Sequence, residues 1–444
     1  MPVTVADGAA DAGGVPTLLP MLPCCAIDFG TSNSAIALMA GDGVRLVELE
    51  TGQRTMPTAV FYAVEGLAAH QEPQRLYGRA AVAAYVEGIE GRLMRSMKSI
   101  LGSPLAIQST EVGAGRSVRY LDVVAAYLRH LKLLAESDAG GPLHRLVLGR
   151  PVFFVDDDAE RDAAAQSALL QAAHAVVFSE VSFQFEPIAA ALDYETTIAR
   201  EQLVLVADIG GGTSDFSLVR VGPARRHRID RHDDILANHG VHSAGTDFDR
   251  QIELAHILPL AGYKGLGPTG REVPSKVYFD LATWHLINTV YTPSRVAELR
   301  RMKTFYADLQ QHARLMTALE DRLGHALIAQ AEAAKIAVAE GDSAVIDLDL
   351  LGRGLQVALS ERQAMAALDG EFDRIAAAAD QTLRQAGIAA GDVDALYFTG
   401  GSTGLAALTG RIAARFPAAT PMRGDRFASV AQGLGHHARR VFGG

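Results

Sequence analysis

The feature that most constrains the fold is a glycine-rich turn between two apolar segments, at residues 207–215 (Ala-Asp-Ile-Gly-Gly-Gly-Thr-Ser-Asp). The preceding segment, 203–206, is continuously apolar, as in a strand buried on both faces, and 216–221 is a second strand candidate. Three glycines let the backbone turn tightly and approach a ligand, and unpaired N–H groups in such a turn bind anions. Asp208 and Asp215 at its ends suit an anion site if a divalent cation lies between them. A hairpin without a ligand is the alternative interpretation.

The same order of residues occurs earlier in the chain. Residues 26–34 (Ala-Ile-Asp-Phe-Gly-Thr-Ser-Asn-Ser) precede an apolar segment at 35–39. Both copies therefore combine a buried strand, an Asp, glycine, Thr-Ser and a second strand, and such a repeat predicts two copies of one supersecondary unit. If the copies face each other, two phosphate-binding hairpins and the aspartates Asp28 and Asp208 converge on one cleft. That arrangement suits a nucleoside polyphosphate with Mg²⁺.

Composition narrows the function classes. A chain of 444 residues predicts two or three domains, and 49% hydrophobic with 21% charged residues is ordinary for a soluble globular protein. The net charge of −10 argues against a general nucleic-acid binder. No apolar run approaches the roughly 18–20 residues of a membrane span. The two cysteines, Cys24 and Cys25, are adjacent and form no disulfide framework, which favours a reducing cytoplasm. We therefore expect a cytoplasmic protein without nucleic-acid or membrane partners.

Strand and helix patterns alternate along the chain, which predicts the α/β class. Residues 1 to about 22 are expected to be a flexible tail, with Met21 as a hypothetical initiator, and the adjacent histidines at 436–437 are expected at the surface. Predicted helices are 78–101 (interrupted at Gly91 and carrying Lys98), 121–135, 158–173, 188–194, 309–339 and 371–386, with a final helix opened by Gly400-Gly401-Ser402. Further predicted strands are 44–49, 146–154 and 395–399, with a hairpin at 344–359. Residues 256–306 show no regular pattern.

Taken together, the motifs resemble the ATPase domain of the seventy-kilodalton heat-shock chaperones of the DnaK type, and more narrowly its YegD-like bacterial branch. The resemblance covers residues 24 to about 438 and is dense only at the motifs. The matching segments, in the family's order, are the phosphate loops 27–34 and 207–218, the connecting segment 185–192, the signature 245–249, the nucleoside helix 332–335 and the adenosine loop 399–402.

This resemblance implies an actin-like ATPase fold with two similar, ribonuclease H-like lobes around a nucleotide cleft. Lobe I is expected at 23–199, with a subdomain inserted at about 52–120. Lobe II is expected at 200–444, with an insertion at about 245–368.

The resemblance also implies roles for the matched residues. Asp28 and Asp208 would hold Mg²⁺ largely through water, with Asp215 near the metal or on a monovalent cation such as K⁺. Lys98 would bring a cation to the γ-phosphate and its attacking water, and Glu186 would position that water or ligate the metal shell. Lys98, Glu186 and Asp208 are the candidate catalytic residues. The residues expected to bind ATP or ADP are Gly30, Thr31, Ser32, Gly210, Gly211, Gly212, Thr213, Gly245, Glu332, Lys335, Gly400, Gly401 and Ser402.

Several of these roles have plainer alternatives. Pro151 and Arg161 match the family's switch proline and its coupled arginine, but Arg161 lies among acidic residues and could form a local ion pair instead. Lys98 could be a solvated helix lysine. Glu332 and Lys335, three residues apart, could be a surface pair that contributes a few tenths of a kcal/mol.

The chain also departs from the family. Gly404 stands where the family has an arginine stacked on adenine, and Ala339 stands where it has a serine, so the base side of the cleft is thinned while the phosphate side is intact. Arg423 or Arg426 is a candidate replacement on the base. Because the chain ends at Gly444, just past the ATPase core, no peptide-binding domain is expected.

The leading interpretation is a monomeric, ATP-binding, slowly hydrolysing chaperone-like protein without its own client domain. A metabolite kinase of the sugar or acetate type is the enzyme alternative, with Asp215 or Glu186 as its base. An actin-like scaffold that forms filaments is the structural alternative.

Overall fold

The computed structural model describes residues 23–443 except 41–42, 68–70, 114, 156–157, 285, 342 and 425–427. The predicted tail, Met21 and Arg426 therefore lie outside the described residues. The strands are β1 (Cys24–Phe29), β2 (Asn33–Ala40), β3 (Gly43–Leu46), β4 (Thr55–Pro57), β5 (Ala59–Ala63), β6 (Gln74–Tyr77), β7 (Gly91–Arg95), β8 (Ser109–Gly113), β9 (Arg116–Arg119), β10 (Arg145–Arg150), β11 (Glu180–Phe185), β12 (Gln202–Ile209), β13 (Ser214–Val221), β14 (Ile235–Val241), β15 (Ser343–Asp347), β16 (Gln356–Ser360), β17 (Ala395–Thr399) and β18 (Thr420–Arg423).

The helices of the described chain are α1 (Gly78–Val86), α2 (Tyr120–Ala139), α3 (Ala159–Ala175), α4 (Glu186–Thr197), α5 (Gly245–Ile252), α6 (Lys276–Leu281), α7 (Pro293–Arg301), α8 (Leu309–Glu320), α9 (Gly324–Gly341), α10 (Glu361–Ala386), α11 (Ala406–Ala413) and α12 (Ser429–Phe442). Within the described ranges, no helix combines the length and the apolar composition that crossing a membrane requires.

Two large sheets share one strand order, which confirms the repeat seen in the sequence. The first runs β11-β10-β1-β2-β3, with β4 also on β2, and the second runs β18-β17-β12-β13-β14. In each sheet the central strand, β1 or β12, pairs in parallel with one neighbour and antiparallel with the strand that follows its glycine turn. The expected α/β class with two similar lobes is therefore confirmed.

Both faces of the central strands are buried, which explains why their sequences are apolar without interruption. Cys25, Ile27 and Phe29 of β1 join a core with α2 and α3. Cys24 and Ala26, on the opposite face, join a second core with α4 and α12 that also receives alternate residues of β12. The two sheets thus share one core, and their outer faces carry separate ones.

We call the first sheet with β5–β9 and α1–α3 the first lobe, and the second sheet with β15, β16 and α5–α11 the second lobe. Helices α4 and α12 lie between them. A Cβ atom on Gly433 of α12 would lie 1.9 Å from the carbonyl oxygen of Ala189 on α4, so only glycine permits this helix crossing. The residue limits expected for the lobes and their insertions stay a prediction.

Helix α12 was not predicted, and it overturns the surface position expected for His437. His437 is only 1% exposed, and its Nδ1 atom lies 3.0 Å from Nε2 of Gln184 on β11. His436 is partly exposed. The correction arises because α12 packs against α4 and the first sheet, a long-range contact that a local pattern does not reveal.

The predicted helix 78–101 is wrong beyond residue 86. Residues 91–95 form β7, which pairs antiparallel with β5, and a Cβ on Gly91 would lie 2.2 Å from the carbonyl oxygen of Tyr62. Lys98 lies on a 3₁₀ helix, Met97–Ile100, rather than on an α-helix.

Other predictions differ at their limits. The predicted helix 309–339 is two helices, α8 and α9, and the helix expected at 371–386 begins at Glu361 because Ser360 caps its N-terminus. The strand 395–399 and the hairpin at 344–359 are confirmed as β17 and the β15–β16 pair.

Candidate functional site

The first glycine turn connects β1 to β2 and is held by a residue distant in sequence. Oγ1 of Thr58 donates to the carbonyl oxygen of Gly30 at 2.8 Å, and the Thr58 amide donates to the carbonyl oxygen of Ser32 at 2.9 Å. A Cβ on Gly30 would lie 2.3 Å from the carbonyl oxygen of Asn33, so the turn requires glycine there. Thr31 and Ser32 are fixed at the end of β1 by these contacts.

The second turn, which connects β12 to β13, is held in the same manner. Its Gly210 amide donates to the carbonyl oxygen of Thr213 at 3.0 Å and so closes the hairpin. The Gly211 carbonyl accepts from the Thr246 amide at 2.8 Å. With the Gly210 amide used inside the turn, the amides of Gly211 and Gly212 are the stronger candidates for binding an anion.

The two turns meet. A Cβ on Gly211 would lie 2.7 Å from Oγ of Ser32, so the tips of the turns from the two lobes are in contact range. The segment after β17 joins them: Oγ of Ser402 donates to the carbonyl oxygen of Gly210 at 2.7 Å. Gly245, at the start of α5, would bring a Cβ within 2.8 Å of the same Ser402 oxygen. Residues predicted from four separate motifs therefore surround one point.

Three carboxylates lie beside the turns. Asp28 is near the end of β1, Asp208 is near the end of β12, and Asp215 is the cross-strand partner of Asp208 on β13. Burial raises the pKa of Asp208 to about 7, with Asp215 and Glu186 adding repulsion. Burial also raises the pKa of Asp28, as do Glu186 and Asp208. The ionised forms of Asp28 and Asp208 are therefore destabilised by burial and by neighbouring carboxylates unless a proton or a cation intervenes.

The side chain of Lys98 places a positive charge beside these carboxylates. Its Nζ atom lies 2.5 Å from Oε1 of Glu186, the first residue of α4. Burial lowers the pKa of Lys98, but Glu186, Asp28 and Asp208 more than offset this and hold the pKa above its ordinary value. The ammonium group therefore stays charged at neutral pH. This geometry excludes the alternative of a solvated helix lysine.

Gly149 on β10 makes room for Glu186. A Cβ at this position would lie 3.2 Å from both Cγ and Oε1 of Glu186. The sequence reasoning missed this residue, as it missed Thr58. A glycine inside an apolar strand is a known sign of close approach by another group, so Gly149 was detectable in principle, whereas nothing local marks Thr58.

Gly400 occupies the other side of Asp208. Its φ is +86°, and a Cβ would lie 2.4 Å from the carbonyl oxygen of Ile209 and 2.6 Å from Oδ1 of Asp208. Gly401 and Ser402 then form the first turn of a short 3₁₀ helix, Gly401–Gly404. The predicted adenosine loop is thus built directly against the candidate metal-binding carboxylate.

Lys335 on α9 faces the start of α5 rather than Glu332. Its Nζ atom lies 2.6 Å from Oδ1 of Asp249 and 3.4 Å from the carbonyl oxygen of Gly245. Burial raises the pKa of Asp249 to about 6, although Lys335 opposes the shift. Glu332 is exposed one turn away. The surface pair between Glu332 and Lys335 is therefore replaced by a buried link that holds α5 to α9.

Neither of the two positions that depart from the resembled family, Gly404 and Ala339, is buried. Gly404 is the last residue of the 3₁₀ helix, a conformation open to any L-residue, and Ala339 is exposed on α9. One candidate replacement, Arg423, donates to Oγ1 of Thr409 at 3.3 Å. The other, Arg426, lies outside the described residues.

A second arginine, Arg150, lies beside Pro151, and the sequence reasoning did not identify it. Arg161 donates to the carbonyl oxygen of Gly102, in the segment after Lys98, and lies 3.9 Å from Asp158. Arg150, immediately before Pro151, donates to the Pro151 carbonyl at 3.0 Å and pairs with Asp162 at 2.8 Å. Arg150 also lies over the ring of Phe185, next to Glu186, with its guanidinium carbon 5.0 Å from the centroid.

The donor set fits a cation bound mainly through water. Asp28 and Asp208 offer carboxylate oxygens whose pKa values are raised by burial and by repulsion from neighbouring carboxylates, and a divalent ion would relieve both effects. Among the described residues, no three His, Cys, Asp or Glu side chains are grouped closely enough to hold a metal directly.

Comparison with known proteins assigns this arrangement to a family. The model of the family described as Hsp70 protein matches residues 24–258. The chaperone protein DnaK of Thermotoga neapolitana is 30% identical over 229 residues, which are 51% of this chain and 34% of that protein. The chaperone protein HscA homolog of Shewanella amazonensis is 26% identical over 417 residues, 91% of this chain and 56% of that protein.

The match therefore spans between one third and somewhat more than half of these relatives' lengths. The family model covers the first lobe, α4, the second glycine turn and α5, which together contain both glycine turns, Lys98 and Glu186. The family is built on the actin-like ATPase fold, in agreement with the duplicated sheets. The chain belongs to the Hsp70 protein family.

Proposed function

We propose that this protein binds ATP or ADP with Mg²⁺ in the cleft between its lobes and hydrolyses ATP slowly, as a chaperone-type ATPase. The observation that carries the proposal is the buried Lys98–Glu186 pair, which lies beside Asp28 and Asp208 where the two glycine turns meet. Three carboxylates around one buried ammonium group leave excess negative charge, which is costly unless a further cation joins the site. A polyphosphate with a divalent cation supplies both signs of charge.

Phosphate binding is assigned to the turns. The amides of Thr31, Gly211 and Gly212 and the hydroxyl groups of Ser32 and Thr213 are the candidate donors, and glycines let the phosphates approach the backbone. Asp28 and Asp208 would hold Mg²⁺, with Asp215 adjacent and K⁺ as a further candidate ion. When bound, the metal ion neutralises charge that develops on the phosphate oxygens.

Hydrolysis is assigned to Lys98 and Glu186. The ammonium group of Lys98 stays charged and has donors beyond the one that Glu186 accepts, so it can donate to a γ-phosphate oxygen. Glu186 holds that ammonium group in place, and its other oxygen is an acceptor that orients an attacking water. Since one carboxylate oxygen of Glu186 already accepts from Lys98, only the other is available to an attacking water, which is in keeping with slow turnover.

Isothermal titration with ATP, ADP and candidate sugars, each with and without Mg²⁺, tests the proposal. We expect ATP and ADP to bind with Mg²⁺ and the sugars to give no heat. Asp208→Asn should greatly weaken Mg²⁺-dependent turnover while the circular dichroism spectrum is unchanged. Transfer of the γ-phosphate to a sugar would replace the proposal with a kinase, and ATP-dependent light scattering would favour a filament-forming scaffold.

A chaperone role is a further part of the proposal and is supported by the relatives that are named chaperones. We expect a monomer in sedimentation and a cytoplasmic location, where the buried free thiols of Cys24 and Cys25 stay reduced. The 444-residue chain is expected not to bind extended peptides in a nucleotide-dependent way. Fluorescence anisotropy with labelled peptides, with and without ATP, measures this, and ATP-dependent peptide binding would contradict it.

A further inference from the structure

A second contact joins the two lobes, away from their shared core. The ring of Tyr85, on α1 of the first lobe, stacks on Trp284, which follows α6 of the second lobe, with centroids 5.2 Å apart and planes 23° from parallel. His325 on α9 packs against both rings, with a centroid distance of 4.8 Å to each. Three aromatic rings from both sides of the cleft thus form one cluster.

Arg95 adds a cation from the first lobe. Its guanidinium carbon lies 4.2 Å from the centroid of the Trp284 ring, within the range of a cation–π interaction. Burial lowers the pKa of Arg95, while the charge of Glu332 opposes the shift. Glu332 is a candidate nucleoside-binding residue on α9, so this contact borders the nucleoside side of the cleft. We call Tyr85, Arg95, Trp284 and His325 the latch.

His325 is the sensitive member of the latch. It is 5% exposed, and neither of its ring nitrogens has a hydrogen-bond partner among the described residues. A neutral ring tolerates that environment, whereas an imidazolium would have two unsatisfied donors beside the Arg95 cation. Burial and Arg95 together lower the pKa of His325 to about 4.

Among the described residues, Arg95 is the neighbouring charge that shifts the pKa of His325, and no carboxylate contributes an opposing shift. Of the acidic groups on the elements packed against α9, Asp249 on α5 pairs with Lys335, Asp247 on α5 with Arg250 and Glu371 on α10 with Arg374, while Glu253 lies in the π-helical turn after α5. Burial raises the pKa of Glu253 well above its ordinary value, which favours its uncharged form. Tyr291 faces the start of α9 and is neutral, with its hydroxyl oxygen accepting from the Gly324 amide at 2.8 Å.

We propose that the latch holds the lobes together only while His325 is neutral, so that mild acid opens the cleft. Closing the latch removes the His325 ring from water and places it next to Arg95. Opening restores water to the ring and separates the two cations. The proposal concerns lobe closure itself, and its extension to nucleotide release rests on the proposed function.

The size of the expected pH effect on lobe closure follows from the linkage between closure and protonation of His325. In the open state His325 has an ordinary pKa near 6.5, and in the closed state its pKa is about 4. Closure is therefore fully favourable above pH 6.5 and weakens as the pH falls towards 4, because the open form binds the proton more tightly. At about pH 5.5 the closed-to-open ratio is expected to be about tenfold lower than at neutral pH.

Trp284 is the single tryptophan of the chain, so its accessibility can be measured without a label. We expect quenching by acrylamide, an uncharged quencher, to increase as the pH falls from 7.5 to 5.0 without nucleotide, and the radius of gyration from X-ray scattering to increase with it. His325→Phe keeps an aromatic ring but cannot be protonated, so its quenching should not change with pH. His130→Phe is the matched control, since His130 stacks on Tyr77 within the first lobe at 4.2 Å, and it should retain the acid response.

Arg95→Met gives an independent check if His325→Phe fails to fold. Removing the neighbouring cation brings the closed-state pKa of His325 nearer to 6.5, so the acid response should shrink. In the nucleotide arm, release of a fluorescent ADP analogue should be about tenfold faster at pH 5.5 than at pH 7.5 in the natural protein and unchanged in His325→Phe.

The quenching and nucleotide-release experiments distinguish failure of the latch proposal from failure of the proposed function. If the fluorescent ADP analogue does not bind at either pH, the proposed function is wrong. The quenching of Trp284 still tests the latch in that case, because it is measured without nucleotide. Quenching that is independent of pH in the natural protein, or equally dependent in His325→Phe, would overturn the latch.

Discussion

The ammonium group of Lys98 lies 2.5 Å from a carboxylate oxygen of Glu186, and only 8% and 15% of the two side chains are exposed. This pair connects the first lobe to α4, the helix between the lobes. It therefore fixes the cation of the candidate site relative to both glycine turns before any ligand binds.

We predict that Lys98→Ala slows single-turnover ATP hydrolysis by on the order of a hundredfold or more, since one preorganised charge donor typically contributes about 3–4 kcal/mol to the transition state. ATP affinity should change far less. Lys276→Ala is the control, because Lys276 also forms a 2.7 Å ion pair but is 75% exposed. Equal hydrolysis in Lys98→Ala and the natural protein would remove Lys98 from the reaction.

The raised pKa of Asp208 predicts how the metal acts on stability. A carboxyl group with a raised folded-state pKa favours folding at low pH, and that contribution is lost as the pH rises to about 7. A divalent ion competes with the proton and is bound better by the ionised form. The melting temperature should therefore increase more on adding Mg²⁺ to the ADP complex at pH 8 than at pH 6.

Differential scanning calorimetry measures that difference, and Asp208→Asn is expected to reduce its pH dependence and leave the part that Asp28 contributes. An increase of the same size at both pH values in the natural protein would show that this carboxyl group does not bind the ion.

Gly400→Ala should disrupt the adenosine side of the cleft. The added Cβ would meet a backbone carbonyl and Asp208 in a residue whose φ is +86°. Gly387→Ala is the matched control, with a φ of +66° and nothing within 4 Å, so it isolates the backbone strain of roughly 1–2 kcal/mol. We expect chemical denaturation to show a greater loss for Gly400→Ala, together with lost ADP binding. Equal losses of stability in both variants would mean that glycine is needed at position 400 only for its positive φ and not for the close contacts with Ile209 and Asp208.

The base is expected to be held loosely because Gly404 provides no side chain. We predict an ATP-to-GTP affinity ratio below about tenfold, since a cation stacked on a base contributes roughly 0.5–2 kcal/mol. The 3₁₀ conformation of Gly404 permits Gly404→Arg, which should tighten ATP more than GTP in a titration. A much higher ATP-to-GTP affinity ratio in the natural protein would mean that another residue recognises the adenine base.

The repeat and the phosphate side of the site were predictable because each copy is local. A strand, an Asp and a glycine turn follow one another within a few residues in both copies, so their sequence patterns survive without knowledge of the packing. The convergence of Asp28 and Asp208 then followed from the symmetry between the two copies.

Features that depend on distant contacts were not predictable. Thr58 reaches Gly30 from another strand, and Lys335 pairs with Asp249 rather than with its helical neighbour Glu332. The latch joins α1 and β7 to α9 and Trp284, from a region without a clear sequence pattern. In each case tertiary packing determines which residues are in contact, and no local sequence pattern reveals that packing.

The position of α12 has a consequence for folding during synthesis. This helix is the last described element, yet it contacts β1, β2, β3 and β10 of the first sheet. The inner face of that sheet, with Cys24 and Ala26, is buried only when α4, α12 and the second sheet have come together. When the first lobe has been synthesised, the nascent chain therefore still exposes the apolar inner face of the first sheet. Burial of that surface requires α12 to emerge, so the two lobes are expected to complete their folding in one late step.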